Sequence, residues 1–147
     1  MSVTHTDDLV LNRPEAATEA QRSAIRSRLL KALVFEILAA LVSTFGAFMM
    51  VGATIGIATE DRFTGVTLYF GYLADGLPAA FLIASAALSV VLVVRTWRML
   101  AAANRDDLAT LHKLNSLGWV AIAYVFSWIV PGHHLLKANR LIREAVA

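Results

Sequence analysis

Residues 33–58 read LVFEILAALVSTFGAFMMVGATIGIA, and Glu36 is the one ionisable side chain among them. At about 1.5 Å of rise per residue, a helix of this run outlasts a hydrocarbon core about 30 Å thick. A first membrane helix is therefore expected from Leu33 to Ala58. Its small residues fall in two patterns: Ala39, Ser43 and Ala47 at successive fourth positions, and Gly52 with Gly56 as GxxxG. Helices in lipid associate by close packing of such faces, so these five residues are candidate helix contacts. Glu36 sits one turn inside the run. An ionisable group at that depth is a candidate ion or polar site, pairing with Lys31 or Arg98 being the plainer role.

The rest of the chain supports a lipid solvent. Of 147 residues, 58% are apolar and 16% charged, against roughly 25% charged in a soluble domain. A soluble chain this short buries only about two thirds of its unfolded surface, too little to hide so much apolar sequence. There is no Cys, which excludes a disulfide framework, thiolate metal sites, a Cys nucleophile and acylated Cys anchors. The polar stretch 1–32 ahead of the first run is too long for a cleavable signal peptide, and the run exceeds an h-region.

Working outward toward the N-terminus, Asn12 with Glu15 has the spacing of a capping box, and Pro14 suits a first turn. Residues 1–32 are thus expected to form a tail and an amphipathic helix on the cytoplasmic side. Toward the C-terminus, Glu60–Gly76 is a connector with aromatic Phe63, Tyr69, Phe70 and Tyr72 suited to a wet–oily boundary. Thr67–Leu73 reads as a short interfacial helix. Gly76 and Pro78 place the start of the second membrane helix after them; the alternative is a start at Val66 that buries Asp75. The second helix then runs from Leu77 to about Trp97, with Ala80, Ala84, Ser85 and Ser89 as its small surface and Arg95, Trp97 and Arg98 as its anchor at the lipid interface. Asn104–Asp107 break it and cap the next helix.

The third segment is drawn from Leu108 to Val130, stopped by Pro131 and Gly132. Only 117–130 lacks strongly polar residues, about 21 Å of helix, so the span must recruit 108–116 or thin the bilayer. In residues 131–147, Leu135, Ala138, Leu141, Ile142 and Ala145 share one side, and Lys137, Arg140, Arg143 and Glu144 the other. That is an amphipathic helix for the surface of anionic lipid. The expected fold class is all-α and integral to the membrane: three transmembrane helices within 33–130, flanked by amphipathic helices at both ends.

Thirteen Lys and Arg and eleven Asp and Glu leave a net charge of +2. With three crossings, five basic residues ahead of the first helix and four over 95–113 share one side, against four on the other. This favours a cytoplasmic N-terminus. The basic tail is discordant, because three full crossings leave it outside; a re-entrant third segment would return it. Ten Arg against three Lys, with abundant Ala and Val, is the composition of a GC-rich bacterial gene, and the location follows as a bacterial inner membrane.

Chemistry is sparser. His133 and His134 are adjacent, and adjacent helical residues point about 100° apart, which suits no shared metal. No histidine lies in the centre of a span, where a haem b axial ligand would stand. His112, His133 and His134 remain the candidate cofactor contacts, with a quinone framed by His133 and Trp128 as one version. No metal site, nucleophile elbow, phosphate loop, dinucleotide fingerprint or nucleic-acid surface is present in the pattern. The expected role is a non-catalytic accessory subunit that packs by small-residue faces against other integral membrane subunits. The alternatives are a haem- or quinone-associated anchor of a redox complex and a small homo-oligomeric channel or carrier using Glu36.

Overall fold

A computed structural model describes residues 19–59 and 65–146. The readings at Asn12, Pro14, Glu15 and Phe63 lie outside the described residues. The described elements are α1 (Glu19–Thr59), α2 (Val66–Asn104), α3 (Leu108–Leu114), α4 (Leu117–Phe126) and α5 (Ile129–Val146), making an all-α bundle. Two helices, α1 and α2, are long and apolar enough to cross a membrane. They run antiparallel, as three contacts along their length show. Arg26 meets Ala103 at one end, Glu36 meets Thr96, and Gly71 approaches Ile57 at the other.

The pairing of α1 and α2 follows from one period. On α1 the buried residues Ile25, Leu29, Ala32, Glu36, Ala39 and Ser43 alternate in steps of four and three. On α2 the buried residues Ser85, Ser89, Leu92, Thr96, Met99 and Ala103 do the same. A mean step of about 3.5 keeps both seams facing one another along a left-handed pair. Small residues narrow the seam toward the connector, where Leu82 Cδ1 comes within 3.2 Å of where a Cβ on Gly46 would stand.

The second helix begins at Val66 and runs unbroken past Gly76 and Pro78, which corrects the start after those residues and the separate helix at Thr67–Leu73. Pro weakens a helix by removing one donor. Here the loss falls where α1 already braces α2, with Gly71 against Ile57 and Ala79 buried. Asp75 accordingly lies within the helix rather than in a turn.

The third segment is not one helix. Leu108–Val130 is divided into α3, α4 and the start of α5. Asn115 and Ser116 take extended backbone angles, held by side chain: Asn139 Nδ2 donates to Asn115 Oδ1 at 2.7 Å, and Asn115 Nδ2 donates to the Asn139 carbonyl at 3.3 Å. The second break is at Ser127 and Trp128, where Trp128 has φ 72°. A bulky residue in the left-handed region costs about 1–2 kcal/mol and is held there only by its surroundings. Pro131 and Gly132 do not stop a helix; they lie in the opening turns of α5, where a missing N–H is tolerated. Gly132 permits the reversal, since a Cβ there would stand 2.7 Å from Tyr124 Cγ and 3.0 Å from Tyr124 Cα.

The chain after Phe126 therefore doubles back. Ser127, Trp128, Val130 and Pro131 face Phe35, Leu38, Ala39 and Val42 of α1 across a cavity of about 240 Å³, and Phe126 stacks on Phe81 with centroids 5.7 Å apart. From there α5 descends along α1 toward its N-terminal end. Ile25, Leu29 and Leu33 of α1, Leu92 and Met99 of α2, Leu111 of α3, Val120 and Ala123 of α4, and Leu135, Ala138 and Ile142 of α5 form one core at that end. At the other end, among the described residues, α1 and α2 stand as a bare pair, with Phe45 68%, Phe48 76% and Tyr69 63% exposed.

A charged clasp closes the bundled end. Asp106, at φ 56°, lies 3.1 Å from Arg26 and 3.3 Å from Arg22. Arg26 also donates from Nε and Nη2 to the Ala103 carbonyl at 3.1 and 3.0 Å, joining the Asp106 N–H at 3.3 Å on that acceptor of the last turn of α2. Asp107 then caps α3, accepting from the Thr110 N–H at 3.0 Å. The Thr110 hydroxyl and then this N–H hold its carboxyl below the ordinary aspartate value.

Candidate functional site

Polar side chains are threaded through the α1–α2 seam. Glu36 is fully buried and accepts a hydrogen bond from Thr96 Oγ1 at 3.1 Å. Its partner is therefore Thr96 rather than Lys31 or Arg98, both of which are exposed. Glu36 Oε2 and Ser43 Oγ find no hydrogen-bond partner among the described residues. One step further in, the buried hydroxyls of Ser89 and Ser127 lie 2.9 Å apart and tie the hairpin turn to α2. A hydroxyl pair of this kind satisfies both groups where lipid offers no partner.

The small-residue faces divide in two. Ala39, Ser43 and Ala47 are buried in the seam. Gly52 and Gly56 face outward, and a Cβ at either would meet nothing within 4 Å. Ala80 and Ala84 are also exposed; the small residues that α2 turns inward include Ala79, Ser85, Ser89, Ala102 and Ala103.

The expected interface anchors separate as well. Trp97 and Arg98 are exposed. Arg95 is turned inward: its Nη2 donates to the Leu114 carbonyl, and its guanidinium lies 4.9 Å from the centroid of Trp119. It holds the α3–α4 junction against α2 through a carbonyl and a ring face.

The three histidines take different places. His112 lies exposed in the last turn of α3, and His133 is exposed on α5. His134 stacks on Phe35 with centroids 6.0 Å apart and an interplanar angle of 10°, and its Nδ1 stands 3.5 Å from Arg28 Nη1. An arginine can only donate, so Nδ1 is the acceptor and the ring is neutral at this contact. Burial lowers the His134 pKa below the usual imidazole value, helped by the cations of Arg28, His133, Lys31 and Lys137. A lowered pKa means that the unfolded chain binds the proton more readily. Stability is thus full above the ordinary histidine range and falls as pH drops through it toward the lowered value. Lowering the pH from 8 to 5 should therefore cost wild type more of its thermal midpoint than it costs His134→Phe, which keeps the stack on Phe35 but has no imidazole to protonate.

Outside the core, α5 and the start of α4 flank an open groove of about 610 Å³ lined by Leu117, His133, Leu136, Lys137, Arg140 and Arg143, among others. Glu144 is its acid, 3.8 Å from Arg140 Nε. Among the described residues no group of three His, Asp or Glu side chains converges as a metal site.

Sequence reasoning did not single out Thr96, Asn115, Ser127, Asn139 or the Arg26–Asp106 clasp. The three-four spacing through Ser85, Ser89, Leu92 and Thr96 was a signal for the first of these. The two asparagines meet only because the chain reverses between them. Comparison with known protein families, curated proteins and solved structures yields no match.

Proposed function

We propose that this chain is a non-catalytic subunit of a bacterial inner-membrane assembly, with α1 and α2 crossing the bilayer and the α4–α5 hairpin entering one leaflet from the basic end. The observation that carries this reading is the bare half of the α1–α2 hairpin, where apolar side chains point outward on every side and Gly52 and Gly56 present an open, close-approach face. Lipid accommodates the first, and a neighbouring transmembrane helix suits the second. With two crossings, the doubled-back α5 returns the tail to the side of the N-terminus. The Lys and Arg of α1, of 95–113 and of α5 then share that side, which supports a cytoplasmic placement. The tail that three crossings left discordant now agrees with the rest.

The chain contains no Cys, so single-cysteine variants report topology cleanly. Under this reading, Ser23→Cys and Arg143→Cys react with an impermeant maleimide from one side, and Thr59→Cys from the other. Labelling of Arg143→Cys from the Thr59 side would restore three crossings and sink the two-span arrangement. The subunit role is tested by native gel migration of wild type and of Gly52→Leu/Gly56→Leu. Supporting results are a wild-type assembly of fixed stoichiometry and a variant that migrates as the free chain with its thermal midpoint unchanged. A wild type that is a lone monomer, or a variant that assembles normally, overturns the role.

A further inference from the structure

The groove between α5 and the start of α4 has a composition that the packing of the bundle does not use. His133, Lys137 and Arg140 recur at steps of four and three, placing them on one outward stripe of α5, and Arg143 lines the same groove. Lys137 and Arg140 are exposed. Among the described residues Glu144 is the acid that lines it, and its distance to Arg140 is long for an ion pair. The floor is apolar, with Leu117 and Leu136 49% and 42% exposed. Cations held around exposed leucines match a ligand that is anionic at one end and hydrocarbon at the other.

The position along the bundle agrees. Asn139, which lines the groove, is bonded to Asn115 at the α3–α4 junction, and Arg95 holds that junction against α2 through the Leu114 carbonyl and Trp119. On α2 this is the level of Trp97 and Arg98, an aromatic and basic pair of the kind that sits among headgroups. The groove thus opens at headgroup depth, with its leucine floor continuing toward the hydrocarbon.

We infer that this groove is a binding site for the phosphate of an anionic phospholipid, Lys137, Arg140 and Arg143 holding the headgroup and Leu117 and Leu136 receiving the start of an acyl chain. The inference rests on the membrane reading but not on the subunit role. Basic pockets beside membrane helices select anionic headgroups by charge, and the apolar floor separates a lipid from free phosphate.

The test is native mass spectrometry of the full chain in mild detergent, titrated separately with phosphatidylglycerol, phosphatidylcholine and inorganic phosphate. The expected result is one retained phosphatidylglycerol, with phosphatidylcholine binding at least about tenfold weaker and inorganic phosphate not displacing the lipid. Lys137→Glu/Arg140→Glu should weaken phosphatidylglycerol binding by at least about tenfold. Arg98→Glu/Lys113→Glu, with the same change of net charge at exposed positions outside the groove, should leave it nearly unchanged. Circular dichroism and the thermal midpoint of each variant establish that it is folded. Equal loss in both double variants means diffuse attraction and overturns the site, as does undiminished binding in Lys137→Glu/Arg140→Glu. Displacement by inorganic phosphate overturns the lipid assignment. If topology labelling fails while lipid binding holds, the membrane reading falls by itself; if labelling holds and binding fails, the groove alone is refuted.

Discussion

Gly132→Ala is expected to destabilise the protein by about 2–3 kcal/mol, in the range that overpacking costs. The sign is informative, because replacing Gly by Ala inside a helix ordinarily gains up to about 1 kcal/mol. At this position the new methyl would stand 2.7 Å from Tyr124 Cγ and 3.0 Å from Tyr124 Cα. Relieving the first clash takes a change of the Tyr124 χ1 rotamer, since ring rotation leaves Cγ in place; the second is with backbone, and only separation of α4 from α5 removes it. Equilibrium unfolding in detergent, followed by tryptophan fluorescence, measures the change. Gly52→Ala is the control, since nothing lies within 4 Å of its Cβ position. A stabilised Gly132→Ala protein would show that α4 and α5 are not packed at this distance.

Ile142→Ala should cost about 2–5 kcal/mol, the usual penalty for emptying a buried site of this size. Ile142 has no exposed surface, whereas Ile129, on the same helix, is 73% exposed. Ile129→Ala should therefore change the unfolding midpoint little. The contrast separates two accounts of α5. A helix that merely lies on headgroups turns its apolar side into lipid or detergent, and losing either isoleucine would then affect stability alike. A helix docked on α1 through Leu135, Ala138 and Ile142 makes the two positions unequal. Similar denaturant midpoints for the two variants would mean that the bundled end is not formed.

How much was legible in advance divides by the range of the interaction. Helical character and the two long apolar runs follow from composition and length, which are local properties, and the break at Asn104–Asp107 follows from polar residues that cap their own turns. The buried row at Ala39, Ser43 and Ala47 was readable from spacing. The α2 start was misread because Gly76 and Pro78 carry a local preference that contact with α1 overrides. The third segment was misread for a related reason: its apolar length suggested a span, while its division depends on Asn139 and Ser89, residues distant in sequence. At the candidate sites, Glu36 was visible as an isolated carboxyl, but its bond to Thr96 required the register of α1 on α2. Arg95 was assigned by type to the interface, yet the nearness of Trp119 and Leu114 turns it inward.

The doubled-back α4–α5 pair also gives the molecule unequal thickness from end to end. Seated in a bilayer, α4 and α5 would lie beside α1 and α2 in the basic half, while among the described residues the far half would hold α1 and α2, each helix about 10 Å across. The leaflet that receives the hairpin must open wider than its opposite, so the protein has the outline of a wedge. Flat membrane accommodates such a shape only by spreading one leaflet, and a surface bowed outward on the basic side accommodates it with less strain. For a chain seated in this way, local membrane shape and the distribution of the protein would be coupled through its cross-section alone.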